Sequence, residues 1–252
     1  AMASSLDSIG HVTKTVEDSA LLFSITAGQD KNDATTSKNT LKPYQNFISH
    51  DISTLRIGVP KEYFQGGLEP EVEKITTNAI NTLERLGAKI TEISLPHTKY
   101  ANACYYIIQP AEVSSNLGRY DGIRFGSDRA QFGEEAKRRI MLGTYTLSSG
   151  YYDAYYKKAM RVRTLIKQDF DRAFTQVDAI LAPASPTPAW KLGEKTSDPL
   201  AMYLSDIFTV TANLAGIPGL SVPAGFSNGL PVGIQLLGPQ FSENTLFQIG
   251  YA

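Results

Sequence analysis

A chain of 252 residues with 42% hydrophobic content has enough apolar material for one large domain or two small ones. Its 24 basic and 25 acidic side chains leave a net charge of −1, so no global field recruits a polyanion. A single cysteine, Cys104, excludes an internal disulfide, and no run approaches the roughly 20 apolar residues of a membrane span, which together predict a cytoplasmic protein with no membrane partner.

In chain order, Thr15–Phe23 places Val16, Ala20 and Phe23 on one face with acids in the first turn, which predicts a helix. The polar stretch Asp30–Ser53 predicts a surface loop, and Arg56-Ile-Gly-Val-Pro60 a short strand. Pro70 opens a helix whose Val72, Ile75, Ala79, Leu83 and Leu86 recur every three or four positions, and Gly87 ends it. With a further strand over Lys89–Leu95, this is a strand–helix–strand unit, which implies a sheet covered by helices.

From His97 to Phe174 the pattern is mainly helical, and the last of these helices puts Tyr152, Tyr155, Ala159, Val162, Ile166 and Phe170 on one face. Ala179-Ile-Leu-Ala-Pro183 predicts a buried strand, and the Ser185-Pro-Thr-Pro188 loop at its end is a usual place for a ligand. Residues 198–215 predict another helix. Then Pro218, Pro223 and Pro231 alternate with Gly216, Gly219, Gly225, Gly229 and Gly233 through two apolar runs. That density predicts two short buried strands, near Leu220–Val222 and Val232–Leu237, joined by a tight Asn228-Gly229 turn, before a final helix from about Ser242. The fold class is α/β.

Several kinds of chemistry lack their residues. His11, His50, His97 and Cys104 have no metal-ligand spacing, so no metal is predicted. A GxxxxGK[ST] loop and a GxGxxG after a strand are absent, so ATP is not assigned to this chain, and there is no Gly-x-Ser-x-Gly elbow. The serine pairs at 4–5, 114–115 and 148–149 read as caps and turns. Lys157, Lys158, Arg161, Arg163 and Lys167 form a basic helix side that reads as a solvated face, with RNA phosphates as its alternative ligand. The tyrosines at 151, 152, 155 and 156 read as core and interface packing.

Blocks spread along the chain carry a family likeness. They are Ser4-Ser-Leu-Asp-Ser-Ile-Gly10, Tyr105-Tyr-Ile-Ile-Gln-Pro-Ala-Glu112, Arg119-Tyr-Asp-Gly-Ile-Arg124 and Lys137-Arg-Arg-Ile-Met-Leu-Gly-Thr144. Ser149-Gly-Tyr-Tyr-Asp-Ala-Tyr-Tyr-Lys-Lys158, Ser185-Pro-Thr-Pro-Ala189 and the Gly/Pro-rich stretch from Asn213 to Pro239 belong with them. Over essentially the whole chain they resemble the amidase signature family, and within it the A subunits of bacterial tRNA-dependent amidotransferases. The resemblance implies a mixed sheet covered on both faces by helices, with residues 1–252 as the C-terminal part of a single domain. It implies a glutaminase that supplies ammonia for converting Glu-tRNA(Gln) to Gln-tRNA(Gln). Subunits B and C would be the partners, with the tRNA held mainly by a partner subunit that also uses ATP and magnesium. The family's catalytic lysine and two serines precede the Ser-Ser-Leu-Asp block, where this sequence begins. No catalytic residue is therefore assigned here, and the chain alone is expected to be inactive.

Glutamine is a zwitterion, so a pocket selecting it needs a cation for the α-carboxylate and an anion for the α-ammonium. Arginine suits the first because its planar fork meets a carboxylate with two parallel hydrogen bonds. The resemblance implies Arg139 and Asp206 as this pair and Tyr106 as the side chain that closes the site, with Arg138 and Tyr105 as neighbouring alternatives. Two other readings remain, a stand-alone amidase of small amides and a non-catalytic interaction module.

Overall fold

Short apolar runs bounded by glycine, proline or charged residues become five strands: β1 (Arg56–Pro60), β2 (Lys89–Ile93), β3 (Ala179–Pro183), β4 (Gly219–Ser227) and β5 (Leu230–Leu237). In this computed structural model, which describes residues 1–39, 51–195, 198, 202 and 204–252, they form one mixed sheet in the order β2-β1-β3-β5-β4. β1 runs parallel to β2 and β3, while β5 runs antiparallel to β3 and β4. Among the described residues the α-helices with defined bounds are α1 (Val16–Thr26), α2 (Pro70–Arg85), α3 (Ala101–Leu117), α4 (Glu134–Thr146), α5 (Lys157–Ala173), α6 (Val210–Ala215) and α7 (Glu243–Tyr251). Two compact units result: a sheet unit of Ile9–Ser94, Asp171–Glu194 and Ile217–Ala252, and a helical unit of Ala1–Ser8, Leu95–Phe170 and Lys195–Gly216.

In the sheet unit, every residue of β3 is buried. Successive strand side chains point to opposite faces, so β3 is covered on both, as parallel-sheet strands usually are. Its Leu181 joins Ile57, Ile234 and Leu236 in a core that also takes Leu83 from α2 and Ile249 from α7. α1 begins at the Thr15 hydroxyl, which accepts from the Asp18 amide at 3.1 Å, and buries Ala20 against Phe247 beside Val16 and Phe23. At the end of α2 the chain turns through Gly87 at φ 103, where an added Cβ would meet Ser53 Cβ at 3.1 Å. The strand–helix–strand unit is therefore present as read, with β2 ending at Ile93.

The hairpin turns at Asn228 (φ 50) and Gly229 (φ 80), both left-handed, as a type I′ turn requires. Two features correct the reading of these strands. Both are longer than their apolar runs, and β4 alternates exposed and half-buried positions instead of being buried. β4 lies at the end of the strand order, where Pro223 is accommodated at a bulge between Pro223 and Gly225.

In the helical unit, α3 buries Cys104, Ile108, Ala111, Val113 and Leu117, and α5 contributes Ala159, Ile166 and Phe170. The tyrosine face is corrected: Tyr152 and Tyr155 are 39% and 49% exposed. Residues Tyr152–Tyr156 form a π-helical turn, whose wider winding rotates them off the stripe that the rest of α5 buries. Tyr151 stacks on Tyr155 and Tyr152 on Tyr156 at this surface. Arg163, read as part of a solvated basic side, instead donates to the Leu214 carbonyl at 2.9 Å and to the Ser5 carbonyl at 2.8 Å. Among the described residues of 198–215, Met202 and Leu204 are helical, Ser205–Thr209 form turns, and a second helix spans Val210–Ala215 and ends at Gly216 (φ 68); residues 199–201 and 203 lie outside the described residues. The Ser205 and Thr209 hydroxyls bond back to the Met202 and Asp206 carbonyls, which favours turns over helix there.

Candidate functional site

The Gly133 N-cap and the acids Glu134 and Glu135 start α4, and the Lys-Arg-Arg run follows one turn later. Neighbouring helical residues diverge by about 100° around the axis, so Arg138 and Arg139 have different environments. Arg138 pairs with Glu135 at 2.5 Å with its side chain 50% exposed. Arg139 is 20% exposed, donates through Nε to Glu135 Oε1 at 2.8 Å, and holds its guanidinium 5.9 Å from the centre of the Tyr106 ring on α3. Tyr106 reaches past it, its hydroxyl donating to Asp206 Oδ2 at 3.5 Å, the long limit of a hydrogen bond. The structure thus brings Arg139, Tyr106 and Asp206 together in the helical unit. Tyr105 packs edge-on to Tyr106, ring centres 5.1 Å apart.

Two opposed effects set the charges. Burial works against the Arg139 cation, but the interactions with Glu135 and Tyr105 outweigh it and raise its pKa. Partial burial raises the Asp206 carboxyl, opposed by the Tyr106 hydroxyl, the charge of Arg139 and Ser205. The result is a cation and an anion flanking one phenol, an arrangement suited to a small zwitterion. Glu135 went unread in the sequence although its spacing to Arg139, i to i+4, is a standard helical ion pair. An incoming carboxylate has to compete with it for the guanidinium.

Comparison with known proteins now bears on what this arrangement serves. The profile described as Amidase matches residues 1–247. The chain belongs to the amidase family. Its curated relatives include the glutamyl-tRNA(Gln) amidotransferase A subunit of Carboxydothermus hydrogenoformans, 57% identical over 267 residues that take in 100% of this chain and 55% of the relative. The protein of the same name from Heliobacterium modesticaldum is 53% identical over the same shares. The crystal structure of the Thermotoga maritima A subunit superposes with a TM-score of 0.84 at 48% identity, covering 99% of this chain and 53% of that one. This amidase chain therefore spans about half the length of the curated relatives it matches. A bacterial aryl acylamidase at 22% identity and a TM-score of 0.77 shares the fold.

Ser5, Ser114, Ser148, Cys104, His11 and His97, singled out in the sequence, are engaged in structural contacts of this amidase chain. Ser5 Oγ donates to the Glu112 carboxylate, Ser114 Oγ to the Ala111 carbonyl at 2.9 Å, and Ser148 Oγ to the Tyr145 carbonyl at 2.7 Å. Cys104 is buried and donates to the Ala159 carbonyl at 3.2 Å; burial pushes its thiol up to about 11. His11 Nε2 lies 2.8 Å from Thr26 Oγ1, and His97 Nδ1 lies 3.0 Å from the fully buried Asp169 carboxylate, while His50 is outside the described residues. Among the described residues no group of three or more His, Cys, Asp or Glu is placed to hold a metal, and no helix is long and apolar enough to cross a membrane. Lys157 is tied to Asp153 at 2.6 Å. In the sheet unit the Ser185-Pro-Thr-Pro188 loop borders a cavity of about 320 Å³ lined also by Trp190, Val232 and Gly233.

Proposed function

We propose that this chain forms the amino-acid-binding part of a glutaminase, the A subunit of a tRNA-dependent amidotransferase. The observation that carries the reading is the convergence of Arg139, Tyr106 and Asp206, a matched pair of opposite charges about a phenol, in a chain whose relatives bear that subunit's name. Arg139 takes the α-carboxylate of glutamine, Asp206 takes the α-ammonium, and Tyr106 covers the aliphatic stem. A serine outside this chain attacks the side-chain amide carbon; the C–N bond breaks, ammonia leaves with a proton, and water hydrolyses the resulting ester to glutamate. The ammonia converts Glu-tRNA(Gln) to Gln-tRNA(Gln) on the B and C partner subunits. ATP and magnesium act there, and no residue of this chain is assigned to them.

The test is a split between two nitrogen sources. In a complete subunit carrying this sequence, Arg139→Ala and Asp206→Asn each remove one charge-assisted contact of about 1.5–3 kcal/mol, so kcat/KM for glutamine falls roughly tenfold to a hundredfold. Supplied ammonium bypasses the amino-acid pocket, and ammonium-driven formation of Gln-tRNA(Gln) stays near wild type. If both routes fall together the residues are structural, and if neither falls the site lies elsewhere.

The 252-residue chain alone is expected to release no ammonia above a buffer control. Ser114 and Ser148 give their hydroxyl protons to backbone carbonyls, which are not catalytic bases, and Ser5, whose Oγ donates to the Glu112 carboxylate and accepts from Arg163 Nη1, ties the first residues of the chain to α3 and α5. Turnover abolished by changing one of these serines would overturn this part of the reading.

A further inference from the structure

Arg139 and Gly143 lie one turn apart on α4, and Tyr106 and Pro110 lie one turn apart on α3. At the second of these two levels the helices meet backbone to backbone. A Cβ on Gly143 would stand 1.8 Å from the Pro110 carbonyl oxygen, 2.4 Å from its carbon and 2.8 Å from Ser114 Cβ. Two of these three atoms are backbone and cannot swing away, so any side chain at 143 drives α4 off α3. Gly143 is buried in mid-helix and has no left-handed φ, so space and not conformational freedom explains it, although glycine there costs about 1 kcal/mol relative to alanine. One turn back, the Arg139 guanidinium already stands 5.9 Å from the Tyr106 ring centre, close to the roughly 6 Å at which cation–π attraction fades. The first level has no slack to absorb a separation at the second.

We propose that Gly143 is a positioning residue. Its missing side chain sets the approach of α4 to α3, and that approach holds Arg139 against Tyr106 beside Asp206 and fixes the affinity for an amino acid with a free α-carboxylate. The proposal rests on the reading of these three residues as the glutamine site. Ser114, whose Cβ faces the same contact, is a milder second handle.

The test is a double-mutant cycle in the assembled enzyme, with glutamine and ammonium chloride as alternative nitrogen sources. Gly143→Ala should raise KM for glutamine about tenfold, because a small misplacement of a binding group is costly, while the ammonium-driven rate changes less than about twofold. Ser114→Thr keeps the hydroxyl and adds one methyl at the contact; it should raise that KM about threefold and serves if Gly143→Ala does not assemble. In an Arg139→Ala background either change should add less than about twofold, because its effect runs through the guanidinium. If Arg139→Ala leaves glutamine use intact, the glutamine reading falls and this proposal falls with it. If Arg139→Ala weakens glutamine use but Gly143→Ala and Ser114→Thr do not, positioning alone is overturned. Positioning is also overturned if the effects multiply with that of Arg139→Ala, or if ammonium-driven turnover declines in step.

Discussion

The two units use side chains for different ends. In the sheet unit, β3 buries all five of its residues, and Leu181, Ile234 and Leu236 pack into one continuous core. In the helical unit, the residues that converge for chemistry, Arg139, Tyr106 and Asp206, are half-buried or exposed and meet through contacts of 3.5 to 5.9 Å. Apolar burial is non-directional and additive, so it sustains a sheet without fine geometry. A polar trio depends on helix phase and on where three backbones happen to place their side chains. The sheet unit shows the first kind of construction most fully, and the helical unit adds the second to its own buried core.

The sharpest separation comes from the core. Leu181→Ala should destabilise the sheet unit by about 2–5 kcal/mol, the usual loss for a buried leucine, as measured by denaturant unfolding. In a complete enzyme assayed well below its melting temperature, KM for glutamine should stay within about twofold of wild type. A large change in that KM would mean that the core of the sheet unit and the polar trio are coupled, and the contrast would collapse.

Carboxylates in the two units should respond oppositely to pH. Asp178 accepts from the Arg56 guanidinium and its backbone amide, both at 2.8 Å, and Arg56 holds its pKa below the ordinary value against the effect of burial. A lowered folded pKa adds stability above the unfolded value of about 3.9, lost as pH falls through the folded value. Asp178→Asn should therefore flatten the acid limb of a stability profile, at a cost near neutrality of no more than about 1 kcal/mol because the pair is 45% and 32% exposed. Asp206 is raised, chiefly by burial, so its contribution is complete below the unfolded value and lost as pH rises through the folded one. Asp206→Asn should leave the fold no less stable at neutral pH while glutamine use declines. Parallel wild-type and variant profiles at either site would show that its charge is not linked to folding.

How much of this was legible follows from where each signal resides. β1 and β3 begin and end where the sequence says because their punctuation, Pro60 and Pro183, is local. α2 was readable from its three-and-four spacing with Pro70 in its first turn and Gly87 beyond its end. The exposure of β4 was not, since whether a strand is central or at the end of a sheet is decided by pairing with residues far away. The tyrosine stripe failed because one π-helical turn rotates Tyr152 and Tyr155 off the buried face, and periodicity assumes a constant winding. Family resemblance brought the reading to Arg139, Tyr106 and Asp206. It did not separate Arg139 from Arg138, which differ only in their rotation toward α3.

That last ambiguity gives the smallest expected effect. Arg138 and Arg139 share a residue type, a helix and a partner, Glu135, but Arg138 is 50% exposed and only Arg139 reaches the Tyr106 ring. An exposed i,i+3 pair contributes about 0–1 kcal/mol, and Arg138→Ala leaves Glu135 still bound by Arg139 at 2.8 Å. Arg138→Ala should therefore change stability by less than about 0.5 kcal/mol and glutamine kcat/KM by less than about twofold. Releasing Glu135 from its second cation should also tighten its hold on Arg139, so any residual change should be a slight weakening of glutamine binding that fades as salt screens the pair. Parallel assays of the two alanine variants at low and high salt decide the point. A loss for Arg138→Ala as large as that for Arg139→Ala would place the carboxylate contact on the exposed side of α4 and remove Tyr106 from the site.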